Sequence, residues 1–150
     1  RPDGTRIWIE ARGRNLLGRE PVDGVVIYGR DVTERKEREA RLEQQSRIIE
    51  QAPIGIAVSD PSREDNPLVY ANAAFEALTG YEFAEIDARN CRFLQGERTD
   101  PASVAAMRDA IDAREPITVD VWNYRKDGTE FRNRVTIAPI EDDDGEVTQL

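Results

Sequence analysis

No histidine occurs in this chain of 150 residues, which holds one cysteine and one methionine. Without histidine, Ser-His-Asp and Cys-His nucleophile pairs, His-ligated metals and a histidine phosphoacceptor are excluded within these residues. A single cysteine makes neither an intramolecular disulfide nor a cysteine-rich zinc site. No metal is therefore expected, and no enzyme activity. Lysine is scarce as well: Lys36 and Lys126 are the only two, so arginine carries nearly all the positive charge. No apolar run approaches the roughly 18 residues that a membrane-spanning helix needs. The opening "RPDGTRIWIE" lacks the basic-then-apolar plan of a signal peptide. These absences point to a soluble, cytoplasmic protein with no membrane contact.

What is present is acid. Charged residues make up 34% and hydrophobic ones 39%, with a net charge of -9, so a modest core lies under a heavily ionised surface. Phosphate backbones need a basic patch, and none is visible, which argues against direct nucleic-acid binding. Dense carboxylates with few lysines suit a salt-rich cytosol. A halophilic source and an ordinary acidic regulatory domain both fit this composition.

An internal repeat organises the chain. "RPDGTRIWIEARGRNLLGREPVDGVVIYGRDVTERK" from residue 1 and "RKDGTEFRNRVTIAPIEDDDGEVTQL" from residue 125 both open Arg-x-Asp-Gly-Thr and reach an acidic turn ending in Gly24 or Gly145. The unit is longer than a solenoid repeat, so two copies of one domain are expected. Asp3-Gly4, Asp127-Gly128, Asp23-Gly24 and Asp144-Gly145 are hairpin signals. Between the copies, "DVTERKEREARLEQQSRIIEQA" is rich in helix formers, with Asp31 and Glu34 spaced as a capping-box-like start and Pro53 as a stop. Leu42 and Ile49 lie a heptad apart. A solvated connecting helix and a two-chain coiled coil over 31–52 both fit.

From Ile54 the pattern reads strand "IGIAVSD", loop "PSREDNP", strand "LVYA", and helix "NAAFEALTG" stopped by Gly80. Asp100 caps a helix whose first position is Pro101 and whose apolar stripe is Val104, Met107, Ala110 and Ile111. A strand from about Ile117 enters the Asp127-Gly128 turn, and "EFRNRVTIAPI" returns. This order specifies an α+β domain with helices on one face of an antiparallel sheet.

The cysteine sits in "ARNCRFLQGERTD", residues 88–100. Taken singly, Cys91 is either a small buried hydrophobe or a reactive centre. Arg92 and Arg108 offer planar forks to a phosphate, and each is equally suited to a surface ion pair. Asn123 and Asn133 lie on strands where asparagine is disfavoured; they are either exposed amides or partners for a planar heterocycle with carbonyls and ring nitrogens. Together, an enclosed thiol, amides at a pocket floor and arginines at its mouth describe a site for a phosphorylated aromatic cofactor.

Residues 54–150 resemble a LOV domain, the flavin-binding blue-light subset of the PAS family. "NCRFLQG" at 90–96 is similar to its photoactive signature, and "DNPLVYANAAFEALTGY", "TDPASVAAMRDAI" and "NYRKDGTEFRN" carry the match on both sides. Residues 1–33 resemble the closing strands of a preceding PAS domain. The resemblance implies a PAS fold: a five-stranded antiparallel sheet with short helices on one face and a truncated final strand, preceded by a strand fragment (1–33) and a linker helix (34–52), with the LOV unit at 53–150. It implies FMN bound without a covalent bond, and blue light that makes the thiol of Cys91 add to the flavin C4a carbon. Asn90 and Gln95 would contact the flavin or its ribityl chain, Arg92 and Arg108 its phosphate, and Asn123 and Asn133 the isoalloxazine edge. Ala57, Ser59, Leu94, Val135 and Ile137 would line the pocket.

The chain also departs from the family. The family's flavin-facing glutamine falls a few residues past Leu150, and Gln149 lies too early to replace it. The glycine common before the Asn-Cys pair is replaced by Ala88 and Arg89. The implied role is an input module for an effector in the same chain, DNA-binding or kinase, from a haloarchaeal regulator resembling the bacterio-opsin activator, with a possible homodimer through helix 31–52. The competing reading is a non-photochemical PAS module for dimerisation or flavin-based redox sensing.

Overall fold

Val25, Val26, Ile27 and Tyr28 are strong strand formers. They lie in β2 (Val25–Asp31), which pairs antiparallel with β1 (Ile9–Asn15), setting Ile9 opposite Asp31 and Asn15 opposite Val25. The computed structural model describes residues 4, 6–18, 21 and 24–150. These fall into two units, 1–48 and 49–150. Asp3 and Asp23, and with them the Asp3-Gly4 and Asp23-Gly24 turns read from the sequence, lie outside the described residues. The β1–β2 connection is closed by Leu16 N–H donating to Gly24 O at 2.8 Å.

Helix α1 (Thr33–Glu50) begins later than the capping-box reading expects. Asp31 stays in β2 and its Oδ1 accepts the N–H of Thr33 at 2.9 Å, while the Thr33 hydroxyl accepts the N–H of Trp8 at 2.9 Å. Those two bonds fix where the strand stops, and helical bonding starts with Lys36 N–H to Val32 O at 3.0 Å. No residue of α1 is buried.

In the second unit β3 (Ala57–Ser59) pairs antiparallel with β4 (Leu68–Ala71). Helices α2 (Ala73–Thr79), α3 (Phe83–Ile86) and α4 (Pro101–Ala113) follow, with a 3-10 turn at Cys91–Leu94 between the last two. Strands β5 (Ile117–Tyr124) and β6 (Glu130–Ile137) form the longest hairpin, turned at Gly128 with φ 84°. Pro139 carries no N–H for a ladder, and the strand breaks there before resuming as β7 (Ile140–Glu141), paired with β8 (Val147–Gln149). Ser59 and Leu150 exchange backbone bonds of 3.0 and 3.1 Å, which joins β3 to the end of β8. The hydrogen-bonded order is thereby β4, β3, β8, β7, with β5 and β6 paired as a separate hairpin. That is the α+β, antiparallel architecture expected, with β3 shorter than the seven-residue stretch read from "IGIAVSD".

Buried Leu68, Ala71, Phe75, Ile86 and Leu94 form the core, with Ala57, Tyr81, Phe83 and Phe93 packed against it. Tyr81 and Phe93 meet edge to face at 5.0 Å. Asn72 is fully buried and uses every polar atom of its side chain. Its Oδ1 accepts from Ile56 N (2.8 Å) and Phe75 N (3.0 Å), and its Nδ2 donates to Ile49 O and Ile54 O, each at 3.0 Å. It caps α2 and ties the segment before β3 to that cap. At the other end of α2, Gly80 takes φ 77° and Lys126 N–H donates to Thr79 O at 2.9 Å, fastening the β5–β6 turn to the helix.

Ala88 adopts φ 59°, a left-handed conformation that disfavours a Cβ. Two bonds hold it there: Ala88 N–H to Leu68 O at 3.1 Å and Leu68 N–H to Arg89 O at 2.8 Å. The left-handed Ala88 therefore puts strain ahead of the Asn-Cys pair, with Arg89 between. Ala88→Gly is expected to stabilise the fold by about 1 kcal/mol, the left-handed penalty less the added chain entropy of glycine. Urea denaturation followed by circular dichroism measures it; an unchanged or lower midpoint contradicts the strain.

Candidate functional site

Cys91 opens the 3-10 turn, and Asn90 sets it in place. Asn90 Oδ1 accepts the N–H of Arg92 at 3.0 Å, and its Nδ2 donates to the carbonyls of Asp65 (2.5 Å) and Asn66 (3.4 Å). One amide therefore caps the turn and anchors it to the β3–β4 loop, where Asp65 and Asn66 both take positive φ, 68° and 51°. Cys91 keeps an exposed side, yet crowding around its sulfur pushes the thiol pKa up to about 11. The two observations concern different parts of the residue: open surface on one flank, and protein that disfavours the thiolate on the others. At neutral pH Cys91 is a protonated thiol.

Beside the turn lies an open, polar recess of about 390 Å³, walled by Asp65, Ala88, Arg89, Asn90, Arg92 and Phe93. Arg92 reaches across to Asp65, Nη2 to Oδ1 at 2.6 Å, so one of its two sequence readings, the surface ion pair, is met within the chain. Arg108 is exposed on α4 and forms no ion pair among the described residues. Among the described residues, no contact joins the two guanidinium groups to a shared partner.

The two strand asparagines do meet. Asn123 is buried and Asn133 half-buried, so neither is a free surface amide. The register sets Val121 opposite Asn133 and Asn123 opposite Phe131, which makes the asparagines diagonal neighbours on the inner sheet face. Asn133 Nδ2 donates to Asn123 Oδ1 at 2.9 Å, and Asn123 Nδ2 donates to Leu94 O at 3.2 Å. The amide pair is thereby linked to the last residue of the cysteine turn.

Alternation on β6 turns Val135 and Ile137 inward while Arg134 and Thr136 face solvent. Ala57 and Ser59 are half-buried on β3, and Leu94 is buried in the core. Gln95 is exposed; its backbone N–H closes the turn onto Arg92 O at 2.9 Å. Cys91, Asn90, Leu94, Asn123 and Asn133 thus form one connected group, and Arg108 stands apart from it.

Sequence reasoning passed over the loop that follows. A Cβ on Gly96 would lie 2.5 Å from Tyr124 Cδ2 and 2.9 Å from Cζ, so only glycine admits that ring. Tyr124 Oη accepts the N–H of Arg98 at 2.9 Å and donates to Glu130 at 3.2 Å; Thr99 Oγ1 accepts from Gly96 N at 2.9 Å and donates to Trp122 O at 2.6 Å. The loop after the cysteine turn is fastened to β5. The glycine closing "NCRFLQG" was the available signal.

The chain is similar to known proteins over this same region. Residues 53–150 match the family model of the PAS domain. A blue-light-activated histidine kinase of Brucella anthropi is 42% identical over 99 residues, covering 66% of this chain and 20% of that protein. The protein of the same name from Brucella ovis is 47% identical over 97 residues, 65% of this chain and 20% of its own. The chain thus spans about a fifth of these curated relatives. Among solved structures, the LOV domain from the Erythrobacter litoralis EL346 blue-light activated histidine kinase superposes with a TM-score of 0.64 at 41% identity, covering 66% of this chain and 91% of that one. The dark structure of the blue-light photoreceptor Aureochrome1 LOV gives 0.62 at 40% identity, covering 72% and 76%. A haloarchaeal or halophilic origin finds no support in these relatives.

Proposed function

The chain belongs to the PAS domain family, in its LOV branch, and from that premise we propose that residues 53–150 sense blue light through a bound flavin, FMN. One observation carries the reading: the protonated thiol of Cys91 stands at the head of a turn whose last residue, Leu94, is hydrogen-bonded to the buried Asn123–Asn133 amide pair. The donor set fits a flavin. Paired amides supply both donors and acceptors for a ring edge that carries carbonyls and nitrogens. Leu94, Val135, Ile137 and Ala57 supply apolar walls, and Ser59, Asn90 and Gln95 supply polar groups for the remainder.

When bound, the flavin supplies blue-light absorption and an electrophilic C4a carbon. With the flavin held there, Cys91 would supply both the sulfur and the proton for thiol addition, so no external acid or redox partner would be needed. The raised thiol pKa keeps that proton on the sulfur in the dark. Asn90 holds the cysteine turn in place, and Asn123 and Asn133 would hold the ring edge. Arg92 and Arg108 bind the phosphate, Arg92 by leaving Asp65 or sharing it. A non-photochemical PAS module has no use for this thiol.

The Arg92→Ala, Arg108→Ala double variant is expected to weaken FMN about tenfold to a hundredfold, as lost charge-assisted bonds at exposed sites imply. Riboflavin, which has no phosphate, is expected to bind as before. Fluorescence titration of both ligands decides; equal weakening of the two contradicts phosphate recognition.

The organisation proposed is a closing strand pair of a preceding PAS domain at 1–33, a helical linker at 34–52 and the sensor at 53–150. The repeated Arg-x-Asp-Gly-Thr openings and the β1–β2 hairpin support it. An effector in the same chain reads the sensor out, and the histidine kinase names of the relatives favour a kinase over a DNA-binding domain. The sensor itself turns over no substrate. Exposed Leu42, Ile48 and Ile49 on α1 support a homodimer through that helix. The reading includes a cytoplasmic location; among the described residues no helix is long and apolar enough to cross a membrane.

A further inference from the structure

Resting on the reading that Asn123 and Asn133 hold a flavin edge, we propose that Thr99 is a positioning residue of that site, which sets the orientation of the Asn123 amide without touching the cofactor. Thr99 is buried, 8% exposed, and stands just before Asp100, the cap of α4. Its hydroxyl is bonded on both sides. Oγ1 accepts the N–H of Gly96 at 2.9 Å and donates to Trp122 O at 2.6 Å, while the Thr99 N–H donates to Gly96 O at 3.0 Å.

Trp122 O is also within reach of Asn123 itself. Asn123 Nδ2 lies 3.3 Å from that oxygen, one residue back along the strand, and 3.2 Å from Leu94 O. The Thr99 bond is the short one, near the optimum of about 2.7 Å for O–H···O, whereas about 3.2 Å is the long edge of the N–H···O range. With the hydroxyl in place, Asn123 Nδ2 is divided between two long bonds and stays tied to Leu94 O. Its Oδ1 accepts from Asn133 Nδ2 at 2.9 Å and keeps a second lone pair. That lone pair is what Asn123 offers a ring edge. Without the hydroxyl, Trp122 O takes Asn123 Nδ2 in a full bond, the amide turns toward its own backbone, and the tie to Leu94 O is lost.

The strand on either side of Asn123 keeps Thr99 at its post. The Tyr124 ring fills the space that only glycine leaves at position 96, and Tyr124 Oη accepts the N–H of Arg98 at 2.9 Å. The Arg98 guanidinium lies over the Trp122 ring at 4.2 Å and bonds to Glu130 at 2.6 Å. Of these fastenings, only the Thr99 hydroxyl bonds to the backbone of β5.

Fluorescence titration of the whole chain with FMN tests the role. Thr99→Val removes the hydroxyl and keeps the shape, and Thr99→Ser keeps the hydroxyl. The Val variant is expected to weaken FMN about fivefold to tenfold, the loss of about one net hydrogen bond, and to shift the infrared carbonyl bands of the bound flavin. The Ser variant is expected to restore both. Tyr124→Phe loosens the same loop but leaves Trp122 O bonded to Thr99, and is expected to leave the carbonyl bands in place. If Thr99 acts through Asn123, adding Thr99→Val to Asn123→Ala changes FMN affinity less than about twofold. A full loss in that background overturns the positioning role. So does a Val variant with the parent's affinity and bands, a Ser variant as weak as Val, or a Phe variant that shifts the bands as Val does. A Val variant that does not fold makes Thr99 a structural residue and overturns the role too. A parent chain that takes up no flavin overturns the flavin reading itself, and the role of Thr99 with it.

Discussion

Cys91→Ala is expected to retain flavin and to lose reversible blue-light bleaching completely. The chain contains one cysteine, so no other thiol can take its place. The substitution leaves the amide pair untouched, because Asn123 and Asn133 bond to each other and to Leu94 O rather than to the sulfur. It also leaves the cap of the turn, since Asn90 accepts from the backbone of Arg92. Loss of one partly exposed sulfur without a hydrogen-bond partner changes stability by less than about 1 kcal/mol. Absorbance near the flavin bands, before and after illumination, reads the result. Full bleaching with dark recovery in the variant removes Cys91 from the photoreaction.

Asn72→Ala is expected to destabilise the second unit strongly, because Asn72 is fully buried and bonded through every polar atom of its side chain. Four bonds disappear at a fully buried position, and the partners left behind are backbone groups of Ile49, Ile54, Ile56 and Phe75. Loss of a helix cap costs about 0.5–2 kcal/mol, and each buried backbone group left unsatisfied adds about 1–3 kcal/mol. The expected destabilisation is about 3–5 kcal/mol, since Ile49 and Ile54 near the helix end recover water. A thermal melt reads it as a fall of more than about 12 °C for a domain of this size. A fall within a few degrees contradicts the role of Asn72 as the joint between α2 and the segment before β3. Asn72→Ser, which keeps the cap alone, is expected to recover part of the loss.

Local chemistry was legible in the sequence, and distant pairing was not. Asp100 before Pro101 announced α4, and Asp100 Oδ2 does accept the N–H of Ser103 at 3.0 Å. Gly80 stopped α2 and Asp127-Gly128 turned the long hairpin, because each depends on backbone angles set within a few residues. α3 escaped notice: its capping box, Glu82 with Glu85, spans a helix of only 4 residues, too short to show a periodic stripe. Asp31 looked like a cap partner for Glu34, yet the Trp8–Thr33 bond, made across 25 residues, sets the helix start.

The site divides in the same way. Cys91 stood out as the one cysteine and Asn123 and Asn133 as asparagines on strands, while Asn90 was singled out by the family resemblance alone. Their connection through Leu94 O was not readable, since it depends on which face of β5 turns inward. The Thr99–Trp122 contact bridges 23 residues and carries no local signature at all. Arg92 shows the limit of residue type as a guide: a guanidinium suited to phosphate is held by Asp65, a partner that folding brings near.

The visible absorption spectrum of the purified, flavin-reconstituted chain, recorded in the dark, after blue illumination and through dark recovery, tests the central claim most directly. Structured flavin bands that bleach in blue light and return in the dark are the predicted result. A protein that stays colourless after reconstitution with FMN, or one whose flavin bands do not respond to light, contradicts it.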